Sequence, residues 1–211
     1  MIRSKYVIPQ QKYNAAETLL EAGNREEAIE AFLAEARAMG EGRLSVVFTG
    51  AGTSDYVGDT CAPYLRHAGN TDLYDFKPIA TTDIVSAPRD FLRAEDPTLV
   101  VSFARSGNSP ESLAAVAVAK ELVHNVKFLN ITCAPEGKLA VESADDPNAL
   151  TLLIPRANDK GFAMTGSYTC MTLLSTLIFD TASDEQKAEW VETIAKMGEE
   201  VIEREDEVAA F

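Results

Sequence analysis

The sequence has few cysteines, and no two of them stand at a spacing typical of a metal site. Its three cysteines, Cys61, Cys133 and Cys170, lie far apart and are odd in number, so neither a zinc site nor a disulfide framework is indicated. No apolar run approaches the length needed to cross a membrane, and no apolar signal core follows the first residues. We therefore expect a cytoplasmic protein with reduced thiols, no metal and no membrane contact.

Positive charge is also scarce. The 211 residues include 19 Lys and Arg against 33 Asp and Glu, a formal net charge of −14. Such a surface repels phosphate backbones, and no Lys or Arg cluster overrules it locally, so we do not expect nucleic-acid binding. An anionic small ligand would need a local pocket of positive potential. The chain length suits one large α/β domain.

Apolar residues are concentrated in short continuous runs, which are typical of strands covered on both faces. The predicted strands are 44–48, 99–103, 126–131 and 150–154, with a weaker candidate at 71–76. Helical patterns separate several of them, at 56–67, 110–123 and 165–179. This alternation predicts an α/β fold, a three-layer α/β/α sandwich around a mostly parallel five-stranded sheet.

Both ends of the chain carry further helical patterns. The N-terminal stripes are Ala15, Ala16, Leu19 and Leu20, then Ala28, Ile29, Phe32, Leu33 and Ala36; the C-terminal stripe is Val191, Ile194, Met197, Val201 and Val208. We predict a helical segment at 1–41, a core domain at 42–182 and a terminal helix in 183–211. Because the sheet needs fewer helices than this, we expect exposed apolar surface and a homodimer that covers it.

A glycine-rich loop follows the first predicted strand. Gly52, Thr53 and Ser54 lie in it, where glycine permits close backbone approach and the hydroxyls can cap a helix or bind a ligand. A tight turn with a hydroxyl cap is one alternative. A dinucleotide site is another, but Asp55 occupies the sixth position of its fingerprint and would lie beside the pyrophosphate.

A serine-rich loop follows the strand at 99–103. Its candidate ligand-binding residues are polar, cationic or glycine: Ser102, Arg105, Ser106, Gly107, Asn108 and Ser109. Ser109 before Pro110 predicts a helix start, whose N–H groups and positive dipole attract anions. A capped turn with no ligand is the alternative. Both loops leave the carboxyl ends of strands, so we expect them to face one crevice.

Three motifs together resemble a known family. GAGTS at 50–54, SFARSGNSPES at 102–112 and DKGFAMTGS at 159–167 are similar to the SIS (sugar isomerase) phosphosugar-binding domain. Within it they look most like the tagatose-6-phosphate ketose/aldose isomerases, also described as galactosamine-6-phosphate deaminase/isomerases. The resemblance runs from about Leu44 to Asp180. It implies a flavodoxin-like sandwich and ketose/aldose isomerisation, with or without loss of ammonia, of a hexose or amino-hexose 6-phosphate.

The resemblance also implies roles for the loop residues. Ser106 and Ser109, with the backbone of Arg105 and Gly107, would hold the phosphate, and Thr53 and Ser54 would line the sugar. No cofactor is implied. No acid–base residue is identified, because Glu111 suits a dipole partner and Asp159 and Lys160 suit surface charges. Family members usually carry two SIS domains, so 183–211 reads as the lead-in to a second one. A non-catalytic regulatory or sensing module is the rival function.

Overall fold

The computed structural model describes residues 24–161, 163–204 and 206–207, which form two compact units that meet in sequence at Asp180 and Thr181. The unit before that point contains a five-stranded sheet in the order β2-β1-β3-β4-β5, and every neighbouring pair is parallel. The strands are β1 Leu44–Gly50, β2 Tyr74–Pro78, β3 Thr98–Ala104, β4 Val126–Thr132 and β5 Ala149–Leu153. The predicted parallel α/β architecture is confirmed.

The helices of the described residues are α1 Arg25–Arg37, α2 Asp55–Ala68, α3 Thr81–Ser86, α4 Pro88–Phe91, α5 Pro110–Leu122, α6 Lys138–Ser143, α7 Thr165–Phe179 and α8 Asp184–Glu203. The three helices predicted at 56–67, 110–123 and 165–179 are confirmed as α2, α5 and α7. The sequence prediction missed α3, α4 and α6, since elements of four to six residues are too short to show a helical period. None of the helices described is long and apolar enough to span a membrane.

Helices cover both faces of the sheet, which explains why its strands read as continuous apolar runs. On one face α1, α2 and α7 pack over an aromatic cluster, in which the rings of Phe48 and Phe76 stack at 5.8 Å and Phe179 meets Phe48 edge-on. On the other face α5 covers Val100 and Phe128. Every residue of β1 and β3 is buried as a result.

The sheet unit absorbs one of the apolar stripes that the sequence offered for a dimer contact. Ala28, Phe32, Leu33 and Ala36 of α1 are all buried in its core. Cys61 and Cys133 are buried, and Cys170 is exposed on α7. The stripe at 15–20 lies outside the described residues.

The second unit contains α8, the predicted terminal helix. It begins after Ser183, whose hydroxyl oxygen accepts a hydrogen bond from the N–H of Gln186 at 3.3 Å. Three residues of the predicted apolar stripe, Ile194, Met197 and Val201, are exposed. Val208 lies outside the described residues. The prediction of a helix from residue 184 is confirmed to Glu203.

Candidate functional site

The strand order reverses direction between β1 and β3, and a cavity of about 270 Å³ lies at that point. Connections after β1 and after β3 leave the sheet on opposite faces, so a crevice forms between the two loops at the carboxyl edge. The cavity is lined by Ala51, Gly52, Thr53, Ser54, Phe103, Ala104, Arg105, Ser106, Gly107, Ser109, Ser112, Met164, Ser167, Tyr168 and Met171. Seven of the nine residues predicted from the sequence are among them.

The loop after β1 turns sharply because a glycine allows it. A side chain at Gly50 would place its Cβ 2.4 Å from the carbonyl carbon of Ser54, so the chain can fold back here only without one. The hydroxyl of Thr81 donates to the Gly50 carbonyl at 3.0 Å and fixes the end of the strand. This turn sets Thr53 and Ser54 at the cavity wall.

The loop after β3 depends on a left-handed glycine. Gly107 has φ +65°, and its carbonyl accepts a hydrogen bond from the N–H of Leu139 at 2.9 Å. Gly137 approaches the same loop so closely that a Cβ there would lie 2.2 Å from the carbonyl oxygen of Ser106. The segment 137–139 therefore packs against this loop and fixes its conformation at the cavity.

This second loop offers several hydrogen-bond donors to the cavity. Within the described part of the chain, the backbone N–H groups of Ser106, Gly107 and Ser109 donate to no protein acceptor. Arg105 lines the same cavity, and α5 begins at Pro110 with its positive dipole end next to the lining residue Ser109. Backbone donors, a cation and the positive end of a helix dipole converge here, which favours an anion, although the Glu111 carboxylate accepts a hydrogen bond from the Ser109 hydroxyl at the same helix start.

Ser109 stands at the N-cap position of α5, but its side chain makes no cap hydrogen bond. Its hydroxyl donates instead to Oε2 of Glu111 at 3.1 Å and accepts from the hydroxyl of Ser112 at 3.4 Å. The hydroxyl is therefore held by other side chains, and no backbone N–H group of the helix depends on it.

Two of the predicted site residues lie away from the cavity wall. Ser102 is buried inside β3, where its hydroxyl has no hydrogen-bond partner among the described residues. Asn108 is exposed, and its side-chain oxygen accepts from the N–H of Lys138 at 3.0 Å. Asn108 thus braces the loop. The predicted contact of both residues with a ligand stays a prediction.

The third wall of the cavity comes from the start of α7, which the sequence prediction did not assign to the site. Met164, Ser167, Tyr168 and Met171 line it, at the spacing of one helical face. Two signals were available in the sequence: the spacing on the predicted helix, and the third motif at 159–167, which contains Met164 and Ser167. The phenol oxygen of Tyr168 lies 2.6 Å from the hydroxyl of Thr60 on α2, which fixes the ring.

Asp159 links the third wall to the second loop. Its carboxylate accepts from the N–H of Gly166 at 3.1 Å, and from the N–H and hydroxyl of Ser167 at 2.8 and 2.6 Å. These hydrogen bonds, led by the Ser167 hydroxyl, hold the pKa of the Asp159 carboxyl below its usual value. Its backbone oxygen accepts from Nη1 of Arg105 at 2.8 Å. The expectation that Asp159 is only a surface charge was wrong.

The cavity wall has the chemistry of a binding site, and its one residue of an acid–base type among those described is Tyr168, whose phenol oxygen lies 2.6 Å from the Thr60 hydroxyl. None of the lining residues described above carries a carboxylate or an imidazole. Burial raises the pKa of the neighbouring Cys133 thiol to about 12, so this group is not a thiolate at neutral pH. Among the residues described, no group of three or more His, Cys, Asp or Glu could hold a metal ion.

Comparisons with known proteins agree with this geometry. The family model of the SIS domain matches residues 42–180. The D-galactosamine-6-phosphate deaminase AgaS of Shewanella sp. (strain ANA-3) is 46% identical over 138 residues, which cover 65% of this chain and 36% of that protein.

Two solved structures are also similar. One from Clostridium novyi NT has a TM-score of 0.76 and 42% identity, over 88% of this chain and 46% of that one. The tagatose-6-phosphate ketose/aldose isomerase of Escherichia coli has a TM-score of 0.67 and 37% identity, over 78% of this chain and 44% of that one. This chain therefore spans less than half the length of these relatives.

Proposed function

Because the chain belongs to the SIS domain family, we propose that its cavity binds the phosphate of a hexose or amino-hexose 6-phosphate. We further propose that the protein acts in ketose/aldose isomerisation of that sugar, with or without loss of ammonia. The observation that carries the first step is the convergence of the N–H groups of Ser106, Gly107 and Ser109 with Arg105 at the cavity. These groups would bind the phosphate oxygens.

Electrostatics favours this position for the anion. The chain carries a formal charge of −14, so most of its surface repels a phosphate dianion. At the cavity the only charged side chain among the lining residues described is that of Arg105. Hydrogen bonds from backbone N–H groups and from a guanidinium to an ionised oxygen are stronger than those between neutral groups. A phosphorylated sugar would thus be held mainly through its phosphate.

The remaining walls suit the sugar portion of the ligand. Thr53 and Ser54 supply hydroxyl groups that can exchange hydrogen bonds with sugar hydroxyls, while Met164 and Met171 offer apolar surface to the carbon skeleton. A cavity of about 270 Å³ approaches the size range of small-molecule sites. We propose this division of roles between the two loops and α7.

A non-catalytic phosphosugar-binding module is the second candidate function, and the composition of the cavity wall favours it. Isomerisation through an enediol needs a general base within hydrogen-bond reach of the C1 and C2 protons. The lining residues described include no carboxylate and no imidazole. In the catalytic proposal, the acid–base groups come from outside this unit, either from further sequence or from a second copy of the chain.

Turnover and binding measured on the same preparation separate the two candidates. The 211-residue protein is incubated with galactosamine 6-phosphate, with detection of released ammonia, and with tagatose 6-phosphate, with detection of the aldose. Product with either substrate supports the enzyme, provided that Arg105→Ala abolishes it. Saturable binding without product supports the binding module. Absence of both binding and product contradicts the proposed function.

We also propose a homodimer and a cytoplasmic location. The exposed residues Ile194, Met197 and Val201 stand three and four positions apart on α8, which is the spacing of one helical face. The three cysteines are free, as is typical of a reducing compartment. Light scattering at moderate salt tests the dimer. A monomer of 22.8 kDa at tens of micromolar would contradict it.

A further inference from the structure

We propose that Asp159 is a positioning residue for phosphate binding, which acts by holding Arg105 against the cavity. The proposal rests on the proposed function, because it concerns the same anion site. Neither the family match nor the sequence motif assigns this role. It follows from the hydrogen bonds of Asp159. Its carboxylate accepts hydrogen bonds from Ser167 on α7, and its backbone oxygen accepts one from Arg105 in the loop after β3.

The carboxylate of Asp159 takes over the capping of α7. The residue at the N-cap position, Met164, has no side-chain oxygen, and the first turn of a helix leaves backbone N–H groups without partners. Asp159 reaches the N–H groups of Gly166 and Ser167 from outside the helix, and it also accepts the Ser167 hydroxyl. A negative charge at a helix N-terminus interacts favourably with the dipole. This carboxylate is therefore fixed at three points.

The helix sequence accommodates this carboxylate. A Cβ at Gly166 would lie 2.8 Å from Oδ1 of Asp159, which is closer than real Cβ contacts come. Ser167 is buried, and its hydroxyl lies 2.6 Å from Oδ2. Glycine and serine at these two positions thus leave room for the carboxylate and bind it.

The backbone oxygen of the same residue anchors the cation of the anion site. Nη1 of Arg105 donates to it at 2.8 Å, across 54 positions of sequence. An arginine side chain has many rotamers, and ordering them on binding weakens affinity. Because the carboxylate fixes Asp159, the carbonyl holds the guanidinium before the ligand arrives. The other N–H groups of Arg105 remain for the phosphate.

A double-mutant cycle tests whether Asp159 acts through Arg105. Dissociation constants for a hexose 6-phosphate are measured for wild type, Asp159→Ala, Arg105→Ala and the double variant. We expect each single substitution to weaken binding about tenfold or more, and the double variant to bind within about twofold of Arg105→Ala. Independent losses that multiply in the double variant would overturn the proposal, as would wild-type affinity in Asp159→Ala.

Two further variants separate positioning from general loss of stability. Asn70→Ala is the matched control: its side-chain oxygen also holds two backbone N–H groups, those of Asp72 and Leu73, at 3.2 Å each, in the loop that precedes β2. We expect it to bind with wild-type affinity. Gly166→Ala retains Asp159 but displaces its carboxylate, so we expect it to weaken binding as Asp159→Ala does. It replaces Asp159→Ala in the experiment if that variant fails to fold.

A second measurement does not depend on any sugar. Phenylglyoxal modifies accessible arginines, and mass spectrometry of peptides reports the rate at Arg105. We expect faster modification in Asp159→Ala and in Gly166→Ala than in wild type, with Asn70→Ala unchanged. If the wild-type protein binds no phosphosugar, the proposed function is contradicted. The rate of modification at Arg105 still shows whether Asp159 holds the Arg105 side chain. An unchanged rate at Arg105 in both variants would overturn the positioning role itself.

Discussion

Replacing Ser109 by alanine should separate ligand binding from helix stability. Ser109 lines the cavity, yet its hydroxyl caps no backbone N–H group of α5. Its protein partners are the side chains of Glu111 and Ser112, at 3.1 and 3.4 Å. The substitution therefore removes a hydroxyl whose proton can turn from Glu111 to the phosphate when a ligand binds, and it removes no cap.

The two effects have different expected sizes. A hydrogen bond to a charged group contributes roughly 1.5–3 kcal/mol, so the dissociation constant for a hexose 6-phosphate should rise roughly 10- to 150-fold. A substitution at a site with no special contact usually changes the free energy of unfolding by less than about 0.5 kcal/mol. A true cap would instead cost about 1 kcal/mol.

Isothermal titration and urea unfolding measure these two quantities on the same protein. Ser86→Ala is a suitable control, because this exposed serine on α3 donates only to the carbonyl of Asp83 and lies outside the cavity. It should leave affinity unchanged. Wild-type affinity in Ser109→Ala, together with a loss of about 1 kcal/mol or more in unfolding free energy, would refute the reasoning.

Three further predictions concern the surroundings of the cavity. Gly107→Ala should lose about 1–2 kcal/mol of stability in unfolding experiments and also lose phosphosugar binding, whereas Gly42→Ala, at φ +85° in open space, should lose only stability. Ser102→Ala tests the ligand contact predicted from the sequence: because its hydroxyl is buried within β3, we expect wild-type affinity by titration, and a weaker affinity would support that contact. The stability difference between wild type and Asp159→Asn should be present at neutral pH. Because the pKa of Asp159 is lowered by folding, the difference should shrink as pH falls below about 3.8.

The strands were predictable because helices cover the sheet on both sides. All seven positions of β1 and of β3 are buried, so these strands lack the polar alternation of a half-exposed strand. They consist mostly of apolar residues with a few buried hydroxyl residues such as Ser45 and Ser102, and that composition is visible in sequence. The edge strand β2 has partly exposed positions, and its predicted range began three residues before the observed one. The short helices α3, α4 and α6 carry too few residues for a period to appear.

The candidate site was predictable only where it follows directly from strand ends. Gly52, Ser106 and Ser109 lie in loops that leave adjacent parallel strands, and topology alone brings such loops together. The capping of α7 by Asp159 depends on how the preceding loop folds back, which local spacing does not encode. The missing cap bond of Ser109 was equally invisible, because the competing partner is a side chain two positions later.

The most direct test of the account compares one sugar with and without its phosphate. Thermal unfolding is measured with galactosamine 6-phosphate and with galactosamine at the same concentrations. At a hundred times its dissociation constant the phosphorylated sugar should add roughly 2.7 kcal/mol to the free energy of unfolding, and the free sugar should add nothing measurable. Equal stabilisation by both sugars, or stabilisation by NAD alone, would contradict a site built around a phosphate.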